Sequence, residues 1–314
     1  MRFRSNCENI LSESIFEDVK YENSIRMQIS RKVSYLLLHY VNIGVSRYIR
    51  HKLCKLLLPL PNGLVICPTP YDINLLVDPK DLVGKYIYYF GEWEPGTLWV
   101  LRNYLKKGDV FLDVGAYIGS ISCAASRLVG NQGFIYSIEP SSDNYNMLCE
   151  NIKINNLKNI YPFKIALGSE ISVARIIIRN QWNRGADSLA PNEKSGEKVL
   201  VTTIDTLIET KRIPPPNFIK IDVEGYEYEV LKGAEKLLKS SCAPILCVEY
   251  NRVCGNDIYD YLKSINNYSI YTLQNSTPYT LIKKKKEEII KKTINLFCFQ
   301  HTCKKLRVFP SDTN

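Results

Sequence analysis

Five acids and one lysine stand where apolar stretches of this chain give way to turns: Asp113, Glu139, Lys220 with Asp222 and Glu224, and Glu249. Carboxylates at such places can bind a cation, accept hydroxyl hydrogens or take a proton. The most informative stretch is Val110-Phe-Leu-Asp-Val-Gly-Ala-Tyr-Ile-Gly-Ser-Ile-Ser122, three apolar β-formers followed by an acid, two spaced glycines and a helix start. Gly115 and Gly119 lack Cβ atoms, so a ligand could approach the backbone at a helix N-terminus. A dinucleotide fingerprint needs Gly-x-Gly-x-x-Gly to seat a pyrophosphate. Here the pattern is Asp-x-Gly-x-x-x-Gly, and the acid would repel a phosphate.

An ammonium or sulfonium suits that acid better, and S-adenosylmethionine carries both. Glu139 ends the next apolar run, Gly133-Phe-Ile-Tyr-Ser-Ile-Glu-Pro140, where a carboxylate can take two ribose hydroxyls. A second charged motif, Phe218-Ile-Lys-Ile-Asp-Val-Glu-Gly225, puts Lys220, Asp222 and Glu224 at another strand's carboxyl end, and Pro244-Ile-Leu-Cys-Val-Glu249 adds a further acid. In open α/β sheets ligands bind outside those ends, so all of these residues are expected on one rim. Glu227 and Glu229 follow on what reads as a helix, where a solvated face is the ordinary explanation, accepted here for Glu229.

The elements that must position these groups alternate. A hairpin is expected over 61–67 and 71–77, a helix over 97–105, then strand 110–114, helix 120–129, strand 134–138, helix 142–155 capped by Ser141 or Ser142, and strand 160–166. An antiparallel pair, 173–179 with 198–203, flanks the polar loop Gln181-Trp-Asn-Arg-Gly-Ala-Asp-Ser188, and helix 205–211 follows. This is an α/β pattern with a mostly parallel sheet. The chain has 314 residues, 45% of them hydrophobic, enough for a full core without staples. Its ten cysteines form no Cys-x-x-Cys pair, so they read as reduced, mostly buried thiols of a cytoplasmic protein, and no metal site is expected.

Residues 1–59 read as a separate basic helical extension and 60–314 as the main domain. Between 24 and 58 lie seven basic residues, Arg26, Arg31, Lys32, Arg47, Arg50, Lys52 and Lys55, with no acid and with apolar residues at helical spacing. A helix packed on the domain with its cations in water is preferred over a peripheral anchor on a membrane surface. The longest nearly apolar run, 33–45, is too short to span a bilayer.

The segments Asp113-Val-Gly-Ala-Tyr-Ile-Gly119, Thr203-Ile-Asp-Thr-Leu207, Lys220-Ile-Asp-Val-Glu-Gly-Tyr-Glu227 and Gly233-Ala234, in that order, resemble the FkbM family of S-adenosylmethionine-dependent methyltransferases. Gly91-Glu-Trp-Glu-Pro95 and Asn295-Leu-Phe297 extend the resemblance, which runs over roughly 64–299. It implies a class I, Rossmann-like fold with a seven-stranded sheet whose last strand is antiparallel, and O-methylation of sugars or similar hydroxylated small molecules. It also implies Asp113 and the Gly115 to Gly119 backbone, Ala116 and Tyr117 included, at the methionine end of the cofactor. Glu139 with Pro140 would meet the ribose, and Ile165 with Ala166 the adenine edge. One departure is Tyr117, where the family commonly carries Asn.

Methyl transfer needs the nucleophile positioned and its proton removed. The only histidines, His39, His51 and His301, lie off the expected rim. Glu224 is therefore the first candidate base and Asp222 the second, with Lys220 beside them. Glu94, Asn183, Ser188 and Glu249 are the candidates for orienting the acceptor. A nucleic-acid partner is disfavoured despite the net charge of +9, because much of that charge sits in the N-terminal element and Asn/Asp-Pro-Pro-Tyr/Phe is absent. Methylation of RNA ribose or of protein, and a non-catalytic S-adenosylmethionine-binding module, remain alternatives. Oligomeric state is not legible.

Overall fold

The computed structural model describes residues 20–21, 60–177, 188–190, 195–250, 258–274, 279–289 and 294–300. The basic stretch expected to be helical, 24–58, lies outside them. Lys20–Tyr21 (β1) pairs in parallel with Val65–Pro68 (β2), which forms the expected hairpin with Asn74–Val77 (β3). Two helices follow, Leu82–Phe90 (α1) and Pro95–Tyr104 (α2). The alternating core then runs Val110–Val114 (β4), Ser120–Val129 (α3), Phe134–Ile138 (β5), Ser142–Ile154 (α4) and Ile160–Phe163 (β6).

The strand expected over 160–166 is broken. After β6 the chain leaves the main sheet, and Ala166–Leu167 (β7) joins a smaller one with Ser172–Ile177 (β8), Ser188–Ala190 (β9) and Glu197–Thr202 (β10), in the order β7-β10-β8-β9. β8 and β10 are the expected antiparallel pair. Ile204–Glu209 (α5), capped by Thr203, leads to Phe218–Ile221 (β11). Glu227–Lys232 (α6), Glu235–Lys239 (α7), Ile245–Tyr250 (β12) and Ile258–Asn266 (α8) come next. Ser269–Leu273 (β13), Leu281–Lys283 (β14), Lys286–Ile289 (α9) and Ile294–Phe299 (β15) complete the described chain.

The main sheet has the order β14-β13-β15-β12-β11-β4-β5-β6. Its centre, β12-β11-β4-β5-β6, is parallel, and β15 inserts antiparallel between β12 and β13. Eight strands replace the expected seven because the short β14 folds back on β13 at the edge. Period-two alternation splits each central strand between two cores. Phe111, Phe218, Cys247 and Phe297 pack with α1 to α4 on one face, while Leu112, Ile219, Val248 and Leu296 pack with α5 to α8 on the other. Cys67, Cys123, Cys149, Cys247 and Cys298 are buried, and Cys242 is exposed.

Candidate active site

The glycine loop is fastened to the strand beside it. Gly115 and Ala116 N–H both donate to the Ile138 carbonyl, at 3.0 and 2.9 Å, so the turn after β4 leans on the end of β5. Gly115, Tyr117 and Gly119 have φ of 81°, 51° and 81°. The two glycines are needed for a reason other than ligand approach. A Cβ on Gly115 would lie 1.8 Å from the Asp222 carbonyl oxygen, and one on Gly119 would lie 2.4 Å from a Leu148 methyl. The chain's own packing therefore closes over both positions.

Glu139, 5% exposed, completes the loop. One carboxylate oxygen accepts the Tyr117 N–H at 2.8 Å, and the other accepts the Ser141 N–H at 3.0 Å. Ser141, one of the two serines expected to cap α4, is its N-cap residue, but its side chain makes no cap bond. Ser142 points its hydroxyl at Glu197 instead. Tyr117 occupies a left-handed conformation that tolerates Asn far better than a bulky residue, which accounts physically for the family's preference. Its ring is held by packing on the core beneath. Since any residue supplies the N–H that Glu139 takes, Tyr117→Asn is expected to leave cofactor affinity within about threefold of wild type. Titration calorimetry checks this, and a loss well beyond that range would mean that the phenol itself touches the ligand.

Asp113 is 1% exposed at the end of β4. Ser122 donates to its Oδ2 at 2.6 Å, and Ser137 lies 2.7 Å from the same hydroxyl. Its Oδ1 is buried with no hydrogen-bond partner. Burial pushes the carboxyl up to about 6 against the pull of Lys220 and of the Ser122 bond, with Asp222 and Glu94 adding to the rise.

Lys220, 4% exposed, lies directly opposite Asp113 in the β4–β11 ladder. Its ammonium donates to Asp222 Oδ2 at 2.7 Å and stands 3.9 Å from Glu94 Oε2. Although burial opposes it, the charges of Asp222, Glu94 and Asp113 hold this ammonium well above the ordinary lysine range, so it is a fixed cation. Glu224 follows at φ 54° in the turn after β11. The turn is pinned by Glu227, 1% exposed, whose carboxylate accepts the Val223 and Gly225 N–H groups, each at 3.0 Å. Glu227 is thus an anchor of the site and not part of a solvated face. Glu229 is partly exposed and pairs with Lys232 at 2.6 Å.

Carboxylate oxygens of Asp222, Glu224 and Glu249 lie within 4.8 Å of one another, close enough to couple their charges or to hold one cation. Glu249 Oε2 is buried without a hydrogen-bond partner. Burial, followed by the charges of Asp222, Glu224 and Glu227, pushes its carboxyl up to about 8. Asn295 on β15, directly opposite Glu249, donates to Glu94 Oε1 at 2.9 Å and to Thr97 Oγ1 at 3.1 Å. Asn295 and Ser122 escaped the sequence reading of the site, which left Glu227 open between a helix face and the site. Only the Asn-Leu-Phe resemblance touched the first of them.

The geometry brings together Asp113, Lys220, Asp222, Glu224, Glu249 and Glu94, with Gly115 to Gly119 and Glu139 alongside. Pro140 is half-buried next to Glu139. Ile165 packs into the core under α5 to α8, and Ala166 is buried within the smaller sheet. Ser188 begins β9 of that sheet, and Asn183 lies outside the described residues.

The profile of the methyltransferase FkbM domain matches residues 113–269, half of the chain. The hexuronic acid methyltransferase AglP of Haloferax volcanii is 28% identical over 147 residues, which is 47% of this chain and 59% of that protein. A probable cobalt-precorrin-6B C(15)-methyltransferase (decarboxylating) of Saccharolobus solfataricus is 43% identical over 61 residues, 19% of this chain and 31% of that one. The chain thus spans less than two thirds of the length of either relative. Among solved structures, Aeropyrum pernix fibrillarin with natively bound S-adenosyl-L-methionine overlaps 65% of this chain and 73% of its own at 12% identity, with a TM-score of 0.36. A putative rRNA methylase of Clostridium thermocellum overlaps 65% and 91% at 10% identity, with a TM-score of 0.40. Overlaps at this level carry no weight for substrate or cofactor.

Proposed function

The chain belongs to the FkbM methyltransferase family, and from that premise we propose that it moves a methyl group from S-adenosylmethionine to a hydroxyl of a sugar or similar small molecule. The observation that carries the reading is the loop stapled to Glu139 beside a buried rim with too few cations. Three carboxylates, Asp113, Glu94 and Asp222, surround the single ammonium of Lys220, and two of their oxygens lack hydrogen-bond partners. A ligand with positive charge and N–H donors satisfies such a rim, and a pyrophosphate does not. The donor set therefore fits S-adenosylmethionine.

Asp113 and the Gly115 to Gly119 backbone would hold its methionine end, and Glu139 its ribose hydroxyls. When bound, the cofactor supplies a methyl carbon activated by a sulfonium leaving group. This chain's own part is to place a hydroxyl and hold its proton. Glu224 is the proposed base by its place in the trio with Asp222 and Glu249, and Asp222, the other candidate, holds the Lys220 ammonium at 2.7 Å. Glu249 stands in the same trio as a carboxyl that keeps a proton at neutral pH. A small hydroxylated acceptor is preferred over nucleic acid, in keeping with the sugar named for the Haloferax relative. No helix among the described residues is long and apolar enough to cross a membrane.

The reading is tested at Glu139. Glu139→Ala should weaken binding of S-adenosylmethionine by about 1–3 kcal/mol, the scale of lost charge-assisted hydrogen bonds. Part of that loss would come from loosening the Tyr117 N–H. Calorimetry measures the change, and an unaltered affinity would move the ribose site elsewhere.

A further inference from the structure

We propose that Glu94 belongs to the cofactor-binding end of the rim, where with Asp113 and Asp222 it rings the Lys220 ammonium and receives the cationic amino-acid end of S-adenosylmethionine, and that Asn295 is the positioning residue that keeps it there. The inference rests on the methyltransferase reading above.

Glu94 holds an unusual conformation for a reason visible in its contacts. It precedes Pro95 at φ 49°, ψ 57° and is the N-cap of α2, yet its side chain makes no cap bond to that helix. A non-glycine residue in this region persists only where its surroundings over-determine it. Here the carboxylate is drawn across the sheet to Asn295, whose amide donates to Glu94 Oε1 and to Thr97 Oγ1. With Oε1 held, Oε2 is turned toward Lys220 Nζ at 3.9 Å, an ion-pair distance too long for a hydrogen bond. Asp222 takes the ammonium directly at 2.7 Å. Asp113, opposite Lys220 on β4, adds the third carboxylate, and its own Oδ1 is 99% buried in residue terms and unpartnered.

Three carboxylates and one ammonium leave two acids without a cation of their own, both held above the usual carboxylate range by burial, together with two buried acceptor oxygens. The neighbouring side chains do not offset them. The Cys247 thiol on β12 is pushed well up by burial, with Glu94 adding to the rise, and the Cys123 thiol on α3 is pushed up to about 12 by burial and by Asp113, so both are neutral. Glu249, Glu224 and Glu227 bring further acid. An amino-acid ammonium carries a positive charge and three N–H donors, which answer both deficits. Thr97 of the same helix also hydrogen-bonds the Glu94 carboxylate, and Asn295, which reaches both side chains, fixes the direction in which that carboxylate points.

The test is calorimetry on the full chain with S-adenosylhomocysteine, which keeps the amino-acid end, and with 5′-methylthioadenosine, which lacks it. Glu94→Gln should weaken S-adenosylhomocysteine roughly tenfold and leave 5′-methylthioadenosine unchanged. The loss of affinity on acidification should also move to lower pH in Glu94→Gln, because removing the Glu94 charge lets Asp113 ionise more easily. Asn295→Leu, which keeps every charge, should reproduce the selective weakening, and it carries the contrast if Glu94→Gln does not fold. The proposal is overturned if Glu94→Gln binds S-adenosylhomocysteine with wild-type affinity and pH dependence, or if both ligands weaken alike. A wild-type protein that binds neither ligand would bring down the methyltransferase reading itself.

Discussion

Asp113→Asn is expected to give a protein at least as stable as wild type near pH 7 that has lost S-adenosylmethionine binding by roughly 100-fold or more, the scale for leaving a ligand cation without its buried charged partner. The stability half follows from the sign of the shift. The folded carboxyl ionises at about 6, above the ordinary aspartate value of 3.8, so its contribution is full below the unfolded value and is lost as pH rises through 6. At neutral pH the ionised form then costs about 3 kcal/mol, which an amide of the same shape avoids. The binding half follows from chemistry, since an amide keeps the Ser122 contact and loses the charge that an ammonium or sulfonium needs. Binding to wild type should weaken below about pH 6 for the same reason, with a proton released on association. Thermal melts and calorimetry at two pH values check both halves. A variant that melts lower yet binds normally would make Asp113 a structural residue.

The rim was legible because its residues end apolar runs. Hydrophobic β-formers followed by an acid and a glycine announce a strand's carboxyl end, and topology then gathers such ends on one side of a parallel sheet. That logic placed Asp113, Glu139, Lys220, Asp222, Glu224 and Glu249. It could not place Asn295, whose role depends on β15 entering antiparallel between β12 and β13 and so bringing it opposite Glu249. Pairing across 201 residues leaves no local trace. Helix α1 was equally hidden. Leu82-Val-Gly-Lys-Tyr-Ile-Tyr-Tyr-Phe90 is rich in β-formers and carries a glycine, and the Asp81 carboxylate, accepting the Val83 and Gly84 N–H groups, starts the helix. Gly84 is needed because a Cβ there would strike the Asp78 carbonyl oxygen at 2.0 Å. The glycine loop shows the converse limit. Its spacing was read correctly as a tight turn from strand to helix, but the close fits against Asp222 and Leu148 are tertiary and invisible in a single sequence.

The largest kinetic effect is expected at Glu224. If Glu224 takes the acceptor's hydroxyl proton, Glu224→Gln should lower turnover by roughly 100-fold or more while sparing cofactor affinity, because the amide keeps the shape and loses the basicity. In wild type the rate should rise with pH through about 8, where the acidic trio gives up the proton that Glu249 holds. The sign is fixed by the neighbours. Burial and the charges of Asp222, Glu224 and Glu227 raise Glu249, so a proton remains in the trio at neutral pH and leaves only in mild alkali. Glu249→Gln removes the carboxyl whose ionisation would crowd a third negative charge into the trio, so the rise should move to lower pH and a substantial rate should survive. Asp222→Asn separates the other candidate. It leaves Lys220 without the charge of its 2.7 Å partner, so it should weaken the cofactor as well as slow turnover. A near-normal rate in Glu224→Gln, with Asp222→Asn inactive at unchanged cofactor affinity, would transfer the base to Asp222. A pH–rate profile of Glu249→Gln that coincides with wild type would mean that Glu249 holds no proton of the reaction.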